Sequence, residues 1–323
     1  MDFSRELAAL LAQVPRGSAT RCGDLARALG DARAAAAVFR FLRDHPELPG
    51  AHRVLTEAGR PTSRAAPRVL QSEGWGGKGF TTSFHSDKPL SKLRAEQERI
   101  AAKVSRRNGF RTVRTIGGVD VAYEDGRGFA SLVVVRARDL AVVEEVLIVR
   151  DADFPYIPTY LAYRELPFIR AAFERLSEPP TVLLVDGHGQ LHPRRCGIAC
   201  MAGVSLDVPT IGVAKNPLVG TMDRRPKIGE SVPVRHEGDV LGYAMRTGSS
   251  LKPMFVSVGH RVAPATAVKI VRGLCRTRHP EPLRLAHIHA TRMKEEQRKK
   301  RVRRFSTRSH PQDGEGLEGK RNA

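Results

Sequence analysis

The sequence predicts an α/β domain that is preceded by a smaller, mostly helical unit, and three observations support this fold class. From residue 91 onward, runs rich in Val and Ile alternate with segments that carry apolar residues at helical spacing. Before residue 82, short helical patterns are separated by proline and glycine. With 323 residues, 41% of them apolar, the chain is long enough for two units that each bury a core.

The first predicted unit covers residues 1–82. Its opening helix has apolar residues at helical spacing and is ended by the breaker Pro15-Arg16-Gly17. Glycines between residues 74 and 79 mark a loop, and we assign residues 83–90 to a linker. Helices are predicted at 3–14, 22–30 and 32–45, and a short strand between two turns is predicted within 48–61.

The second predicted unit covers residues 91–290. Its strands are indicated by their density of Val and Ile. One of them, TVLLVDG, is a continuous apolar run, which is typical of a strand buried on both faces. Strands are predicted at 112–123, 129–137, 140–151, 181–187, 209–215 and within 230–260; helices are predicted at 91–104, from about 161, at 196–206 and at 265–275.

Basic residues dominate the composition, with 54 Lys and Arg against 34 Asp and Glu and a formal net charge of +20. Such a field attracts polyanions, so nucleic acid is the predicted partner; a solvated basic surface or association with ribosomes is the alternative. Residues 291–323 form a basic tail, in which 292–308 hold nine Lys or Arg and two acidic residues. We expect a basic helix there that passes into disorder and either contacts phosphates or is simply solvated.

The cysteines and the N-terminal residues indicate in which cellular compartment the protein is expected. The cysteines form neither a zinc pattern nor a paired framework, so reduced thiols are expected. The N-terminus lacks the apolar core of a signal peptide, and no window approaches the length of a membrane span. We therefore predict a cytoplasmic protein with no membrane partner. The four thiols are those of Cys22, Cys196, Cys200 and Cys275.

Three carboxylates lie in the predicted elements of the second unit. Asp120 lies inside an apolar strand, Asp186 ends a later buried strand, and Glu165 lies on the helix between them. Because an unpaired carboxylate is costly to bury, and two on neighbouring strands repel each other, we expect a cation between them. Mg²⁺, or Mn²⁺ as the alternative, prefers such oxygen ligands and activates water on a phosphodiester. Taken singly, each acid is also compatible with capping a turn or a helix.

Two more polar residues follow buried strands. Lys215 ends the strand at 209–215, where an ammonium group would neutralise a phosphate or a leaving oxygen. His192, in the loop after Asp186, would orient or deprotonate water. The simpler alternatives are a lysine and a histidine that reach solvent.

Five blocks in the second unit resemble the endonuclease V family: IGGVDVAY, PYIPTYLAYRE, DGHGQLHPRRCGIA, PTIGVAKNPLVG and HPEPLRLAH. The resemblance runs from about residue 91 to 290 and implies an RNase H-like fold, a mixed sheet flanked by helices. It implies that Asp120, Glu165 and Asp186 hold the metal and that Lys215 and His287 complete the catalytic set. It also implies hydrolysis of the second phosphodiester 3′ to deoxyinosine in DNA, which leaves a 3′-hydroxyl and a 5′-phosphate.

The same resemblance implies how a lesion is recognised. Tyr156, Ile157 and Pro158 match the family's wedge, which fills the gap left when a base leaves the stack. The chain departs from the family directly after the wedge, where Thr159 replaces the Gly of many members. A glycine in the pocket wall would let backbone amides approach the base edge. The expected pocket residues are Thr159, Leu161, Gly187, Ile198 and Leu218.

The first unit resembles the DNA-binding domain of O6-alkylguanine-DNA alkyltransferases, in VPRGSATRCGDLARALG, AHRVLTEAGRP and RVLQSEG, which implies a winged-helix-like fold. Ala51 replaces that family's acceptor cysteine, Cys22 its base-flipping tyrosine and Ala36 approximately its gap-filling arginine. Alkyl transfer from position 51 is therefore excluded, whereas DNA holding, lesion sensing and a structural role stay open. A phosphate-binding face, or a merely solvated one, is expected for Arg33, Arg40 and Arg43.

The leading hypothesis is a monomeric, metal-dependent endonuclease for DNA that contains deoxyinosine or other deaminated bases. Cleavage of RNA that contains inosine is the first alternative. The second alternative is a noncatalytic protein that binds alkylated or deaminated DNA lesions, for which the first unit is the strongest argument.

Overall fold

A computed structural model describes residues 1–248 and 252–308 and confirms the α/β fold class. The last fifteen residues, 309–323, for which disorder was predicted, lie outside the described residues. The basic helix predicted for 292–308 is present as the distal part of one long helix. None of the described helices is long and apolar enough to cross a membrane, and the four cysteines are free thiols.

The first unit is a small helical bundle with a two-stranded parallel sheet. Its core includes the fully buried side chains of Phe3, Leu7 and Leu42, which lie on the apolar faces of two helices. The elements are α1 (Phe3–Leu11), β1 (Thr20–Arg21), α2 (Cys22–Leu29), a 3-10 helix (Ala32–Ala34), α3 (Ala35–Asp44), a 3-10 helix (Ala51–Arg53), β2 (Val54–Leu55) and α4 (Ala66–Ser72).

The second unit is built on a mixed sheet whose strands, within the described residues, run in the order β5-β4-β3-β6-β7-β10-β9-β8. Helices flank it, as the sequence predicts. The elements are α5 (Pro89–Ala101), β3 (Thr115–Glu124), β4 (Arg127–Arg136), β5 (Val142–Asp151), α6 (Leu161–Phe173), β6 (Val182–Asp186), α7 (Ile198–Leu206), β7 (Thr210–Ala214), β8 (Ser231–His236), β9 (Asp239–Met245), β10 (Met254–His260), α8 (Pro264–Gly273) and α9 (Glu281–Arg308).

Strand β6 lies at the centre of the sheet and pairs in parallel with β3 on one side and with β7 on the other. Its residues from Val182 to Val185 are buried, which confirms the prediction of a strand covered on both faces. The β3–β6 register pairs Val119 with Val185. The next residue on each strand is an aspartate, so Asp120 and Asp186 both come directly after this paired position.

Helix α9 packs against β3 because a glycine lets the two backbones approach closely. A Cβ placed on Gly118 would lie 2.4 Å from the carbonyl carbon of Pro282 and 2.6 Å from the backbone nitrogen of Leu283. Leu283 and Ala286 are buried on the helix face that contacts the sheet. This close packing fixes the position of the side chains on the first turns of α9.

The two units share one core. Phe154, Ile157 and Tyr160 of the second unit are buried in the same cluster as the apolar residues of α1, α2 and α3. The segment predicted as a linker also contacts the first unit, since His85 and Gln13 exchange two hydrogen bonds, at 2.8 and 3.0 Å. Helix α5 already begins at Pro89, inside that predicted linker.

A buried carboxylate at this shared interface predicts a pH dependence of stability. Burial alone would raise the pKa of Asp31, but hydrogen bonds from Arg33 and Tyr160 outweigh it and lower the pKa to about 2. A lowered pKa stabilises the fold above the unfolded-state value of about 3.9, and this contribution is lost as the pH falls toward 2. We expect Asp31→Asn to cost roughly 2 kcal/mol of unfolding free energy at pH 7 and about half as much at pH 3, where the folded-state carboxylate is still mostly ionised.

Urea unfolding of the wild type and the variant at pH 7, 5, 4 and 3 measures this difference. Asp87→Asn is the matched control, because Asp87 is exposed and pairs with the exposed Lys92. A wild-type advantage over Asp31→Asn that stays constant across the series would contradict the assignment.

Candidate active site

Acidic and basic side chains come together where β6 ends beside the middle of β3. A carboxylate oxygen of Asp120, one of Asp186 and a ring nitrogen of His287 all lie within 4.8 Å of one another. Asp120 accepts a hydrogen bond from its neighbour's backbone, from Val121 N at 2.8 Å. The other oxygen of Asp120 lies 2.7 Å from His287 Nδ1. This cluster is the convergence that the sequence predicts for the two aspartates.

Glu165 lies on α6 beneath the same cluster and is buried. Its pKa is raised well above the usual range, first by burial and then by the charges of Asp120 and Asp186. Burial and the charge of Asp120 likewise raise the pKa of Asp186 to about 6, although Lys215 and His287 act in the opposite direction. The three acids therefore lie close enough to destabilise one another's charged forms.

This donor set fits a hard divalent cation. Like-charged carboxylates held together with a histidine repel one another, and a cation between them removes that repulsion. Oxygen donors of this type are preferred by Mg²⁺ and Mn²⁺. The cluster that can bind a metal in the described residues consists of Asp120, Asp186 and His287, with Glu165 packed beside it.

Lys215 follows β7 and reaches the cluster at Asp186. Its Nζ lies 3.6 Å from Asp186 Oδ2, and its side chain is about half exposed. An exposed ammonium beside the acids is available to an incoming phosphate, which is the role predicted for it from the sequence. His287 is placed by α9, which approaches β3 closely at Gly118.

A small pocket of about 110 Å³ lies at the N-terminal ends of α6 and α7. Four of the five residues expected to line a lesion pocket do line it, namely Thr159, Leu161, Ile198 and Leu218. The ring of Tyr156 stands at the same pocket and is 49% exposed, so it is free to contact a base. The pocket walls also include Gln97, Ala162, His188, His192 and Gly197.

Two expected recognition residues have other roles. The backbone N–H of Gly187 donates to Val213 O at 2.9 Å, so it is not free to approach a base. Gly187 is required for packing instead, because its φ is +150° and an added Cβ would lie 2.5 Å from Ile198 Cγ2. Ile157 is fully buried in the shared core, so it cannot enter a base stack, and the exposed part of the wedge consists of Tyr156 with the partly buried Pro158.

His192 does not have a free nitrogen for orienting water. Its Nε2 lies 3.1 Å from Thr159 O, and its Nδ1 accepts from Arg194 N at 3.2 Å. Burial and the neighbouring charge of Arg194 lower the pKa of His192 to about 3, which keeps the ring neutral. These contacts favour a role in holding the Thr159 loop over the predicted role in activating water.

Sequence reasoning missed a set of polar residues behind the pocket. The guanidinium of Arg194 donates to Thr159 O at 2.6 Å and to Gln97 Oε1 at 2.8 Å. Gln97 Nε2 in turn donates to Thr159 O at 3.2 Å and to Cys196 O at 3.1 Å. Arg194 belongs to one of the quoted sequence blocks, but no periodic or compositional signal marks Gln97.

The first unit presents no reactive thiol. Cys22 is buried, and burial together with the charge of Glu57 raises the pKa of its thiol to about 12. A buried thiol of this kind is inert toward an alkylated base. The three arginines expected to form a phosphate-binding face, Arg33, Arg40 and Arg43, are exposed. Arg33 pairs with Asp31, and Arg43 pairs with Asp44.

Two family models match the chain. The endonuclease V model matches residues 98–288, and the DNA-binding-domain model of 6-O-methylguanine DNA methyltransferase matches residues 2–75. Endonuclease V of Roseiflexus castenholzii is 42% identical to the chain over 205 residues, which cover 62% of the chain and 92% of that protein.

Solved structures of similar fold are also endonucleases V. Endonuclease V from Streptomyces avermitilis matches with a TM-score of 0.60 and 38% identity, over 64% of this chain and 93% of that one. Endonuclease V from Ciona intestinalis matches with a TM-score of 0.60 and 29% identity, over 65% of this chain and 99% of that one. The Ciona protein was crystallised in complex with a 24mer DNA that contains an inosine followed by a ribo-adenosine.

Proposed function

Since this chain belongs to the endonuclease V family and is therefore a nuclease, we propose that it nicks DNA beside deoxyinosine, the product of adenine deamination. The proposed reaction hydrolyses the second phosphodiester 3′ to the lesion and leaves a 3′-hydroxyl and a 5′-phosphate. The observation that carries the proposal is the convergence of Asp120, Asp186 and His287 beside the buried Glu165. The DNA complex of the Ciona relative supports a substrate that contains inosine.

Each polar residue of the cluster has a proposed role. Asp120, Glu165 and Asp186 would hold a Mg²⁺ ion, or Mn²⁺, which when bound polarises the phosphodiester and activates water. His287 holds the orientation of Asp120 through the contact at 2.7 Å. Lys215 supplies positive charge where negative charge develops on the phosphate or the leaving oxygen.

Lesion recognition is proposed for the pocket and the exposed wedge. An extruded hypoxanthine would enter between Leu161, Ile198 and Leu218, while the ring of Tyr156 would fill the space it leaves in the stack. Thr159 narrows this pocket relative to family members that have Gly there, so the range of accepted deaminated bases is set in part by its side chain.

A panel of substrates tests the proposal. Matched duplexes that contain one deoxyinosine, uracil, abasic site or O6-methylguanine are incubated with Mg²⁺, and each nick is mapped to the nucleotide. The proposal expects nicking of the deoxyinosine duplex at the second 3′ phosphodiester. Stronger nicking of a matched RNA that contains inosine would favour the endoribonuclease alternative. Binding of O6-methylguanine or inosine duplex without any nicking would favour the noncatalytic lesion binder.

The basic tail predicts a salt dependence of binding. The nine basic residues of 292–308 displace counterions from DNA phosphates, so affinity for duplex DNA should fall steeply as salt rises. Deleting residues 292–323 should flatten the slope of log affinity against log salt by several units while leaving nicking measurable. Fluorescence anisotropy over a salt series measures the slope.

Deleting only residues 309–323 is the control for this prediction. That segment contains Asp313, Glu315 and Glu318 against Lys320 and Arg321, so its removal should not flatten the slope. Complete loss of nicking from the longer deletion would show that the tail has a role beyond electrostatics.

A further inference from the structure

A chain of contacts joins the first unit to the proposed lesion pocket, and it begins at Asp31. This buried carboxylate follows α2 and pairs with Arg33 at 2.8 Å. Its Oδ2 also accepts a hydrogen bond at 2.8 Å from the hydroxyl of Tyr160, which belongs to the second unit. Tyr160 is fully buried and immediately precedes α6. Its hydroxyl also lies 3.4 Å from Leu90 O of α5, and its backbone N–H donates to Ile157 O of the pocket loop at 3.0 Å.

The ring of Tyr160 continues the chain of contacts. The guanidinium of Arg194 lies over it, 4.6 Å from the ring centroid. One nitrogen of this guanidinium donates to both Thr159 O, at 2.6 Å, and Thr159 Oγ1, at 2.8 Å. Burial lowers the pKa of Arg194, and the opposing charges of Arg33 and Asp31 leave it lowered. The first unit thus reaches Arg194 through the ring of Tyr160, whose hydroxyl is bonded to Asp31.

The end of the chain of contacts is a strained residue in the pocket wall. Thr159 has a φ of +70°, a conformation that β-branched residues rarely adopt and that persists only when its surroundings enforce it. Its carbonyl accepts from Gln97, His192 and Arg194. Phe154 and Ile157, buried in the core of the first unit, fix the other end of the same loop. Loop 154–160 is therefore held at both ends, with Tyr156 exposed between them.

We infer that the first unit, which lacks the acceptor cysteine of its relatives, serves here to hold the lesion-recognition loop in its working conformation. In this inference, Tyr160 is a positioning residue that acts through Arg194 on Thr159, and Asp31 is its anchor. The inference rests on the proposed function for the identity of the lesion, but the contacts that carry it are independent of that identity.

The test compares two phenylalanine substitutions on the same helix turn. Tyr160→Phe removes the hydroxyl that reaches Asp31. Tyr163→Phe is the matched control, because the hydroxyl of Tyr163 donates to Leu93 O at 2.7 Å and contacts Glu96, both on α5 of the second unit. Removal of the whole first unit is avoided, since it would expose Phe154 and Ile157 and risk unfolding.

Steady-state nicking of a deoxyinosine duplex is measured for both variants. We expect Tyr160→Phe to raise KM about fivefold with kcat little changed, because binding must then restore the loop conformation that the lost hydrogen bond no longer holds in the free protein. Tyr163→Phe should leave both constants unchanged while lowering the melting temperature to a similar extent. Asp31→Ala should match Tyr160→Phe, and the double variant should be no worse than either single variant.

Hydrogen exchange of residues 154–160 in the substrate-free protein gives a second readout that does not depend on activity. Faster exchange in Tyr160→Phe than in Tyr163→Phe is expected. Equal exchange in the two variants, equal KM values, or additive effects in the double variant would each overturn the inference. If the two variants show the exchange difference but the wild-type protein nicks no inosine substrate, the proposed function is overturned and the positioning role stands.

Discussion

Asp186→Asn is expected to lower the rate of nicking at deoxyinosine on the order of a thousandfold, the size of effect seen when one charge-stabilising group is removed from an active site. Asp186 lies at the end of β6, with Asp120 and His287 within 4.8 Å, and the amide removes one carboxylate donor from this cluster. The measurement is single-turnover nicking with Mg²⁺ in excess.

The fold and the affinity for DNA should survive this substitution. Because Asp186 is repelled by Asp120, a neutral side chain should not lower the melting temperature in a metal chelator. The overall positive charge that attracts DNA is retained, so affinity for the duplex should stay within about threefold. Asp87→Asn, at an exposed pair with Lys92, should nick at the wild-type rate. Undiminished nicking by Asp186→Asn would show that the site has been assigned to the wrong carboxylate.

Gly118→Ala is expected to impair nicking about a hundredfold without touching any group of the cluster, because small displacements of positioned groups have effects of that size. The added Cβ would meet the backbone of Pro282 and Leu283 at 2.4 to 2.7 Å, so α9 must move away from β3. His287 would then leave its position 2.7 Å from Asp120. Overpacking of this kind should also cost about 1–3 kcal/mol of unfolding free energy.

Nicking rates and urea unfolding of Gly118→Ala test this explanation, with Gly76→Ala as the control. An added Cβ at Gly76 has no atom within 4 Å, so that variant should behave as the wild type. Wild-type nicking by Gly118→Ala would show that α9 tolerates displacement and that the position of His287 is not critical.

The strands of the sheet and the positions of its acidic residues could be predicted from the local sequence pattern. Runs of Val and Ile predicted the strands, and a carboxylate at the end of an apolar strand is visible in the sequence because burying it alone is costly. The side-by-side placement of Asp120 and Asp186 needed only that β3 and β6 pair in parallel, which they do. Glu165 and Lys215 were candidates from their places in the predicted elements, whereas His287 was assigned only through the resemblance to endonuclease V.

The contacts between the two units did not follow from the sequence. Phe154, Ile157 and Tyr160 lie in a short irregular segment, where no periodicity indicates which side chains are buried. The resemblance to endonuclease V predicts Ile157 as part of a DNA wedge, whereas its side chain is fully buried against the first unit. The positive φ of Thr159 could not be predicted from the sequence either, because threonine rarely adopts such a φ. The residues that hydrogen-bond to Thr159, Gln97 and Arg194, are also distant from it in the chain.

The contacts between the units indicate what the first unit does in this protein. A unit that has Ala51 in place of an acceptor cysteine and a buried Cys22 cannot take up an alkyl group, yet its core encloses one end of the recognition loop. In our inference, this unit holds the lesion-recognition loop of the nuclease through packing and through Asp31, and it needs no nucleophile for that role.

The most direct test of the account is the location of the divalent cation. Crystals soaked in Mn²⁺ would reveal the ion by its anomalous scattering. The account predicts a peak roughly 2.0–2.6 Å from carboxylate oxygens of Asp120 and Asp186, lost in crystals of Asp186→Asn. Metal-dependent nicking by a protein whose Mn²⁺ peak lies away from these aspartates would contradict it.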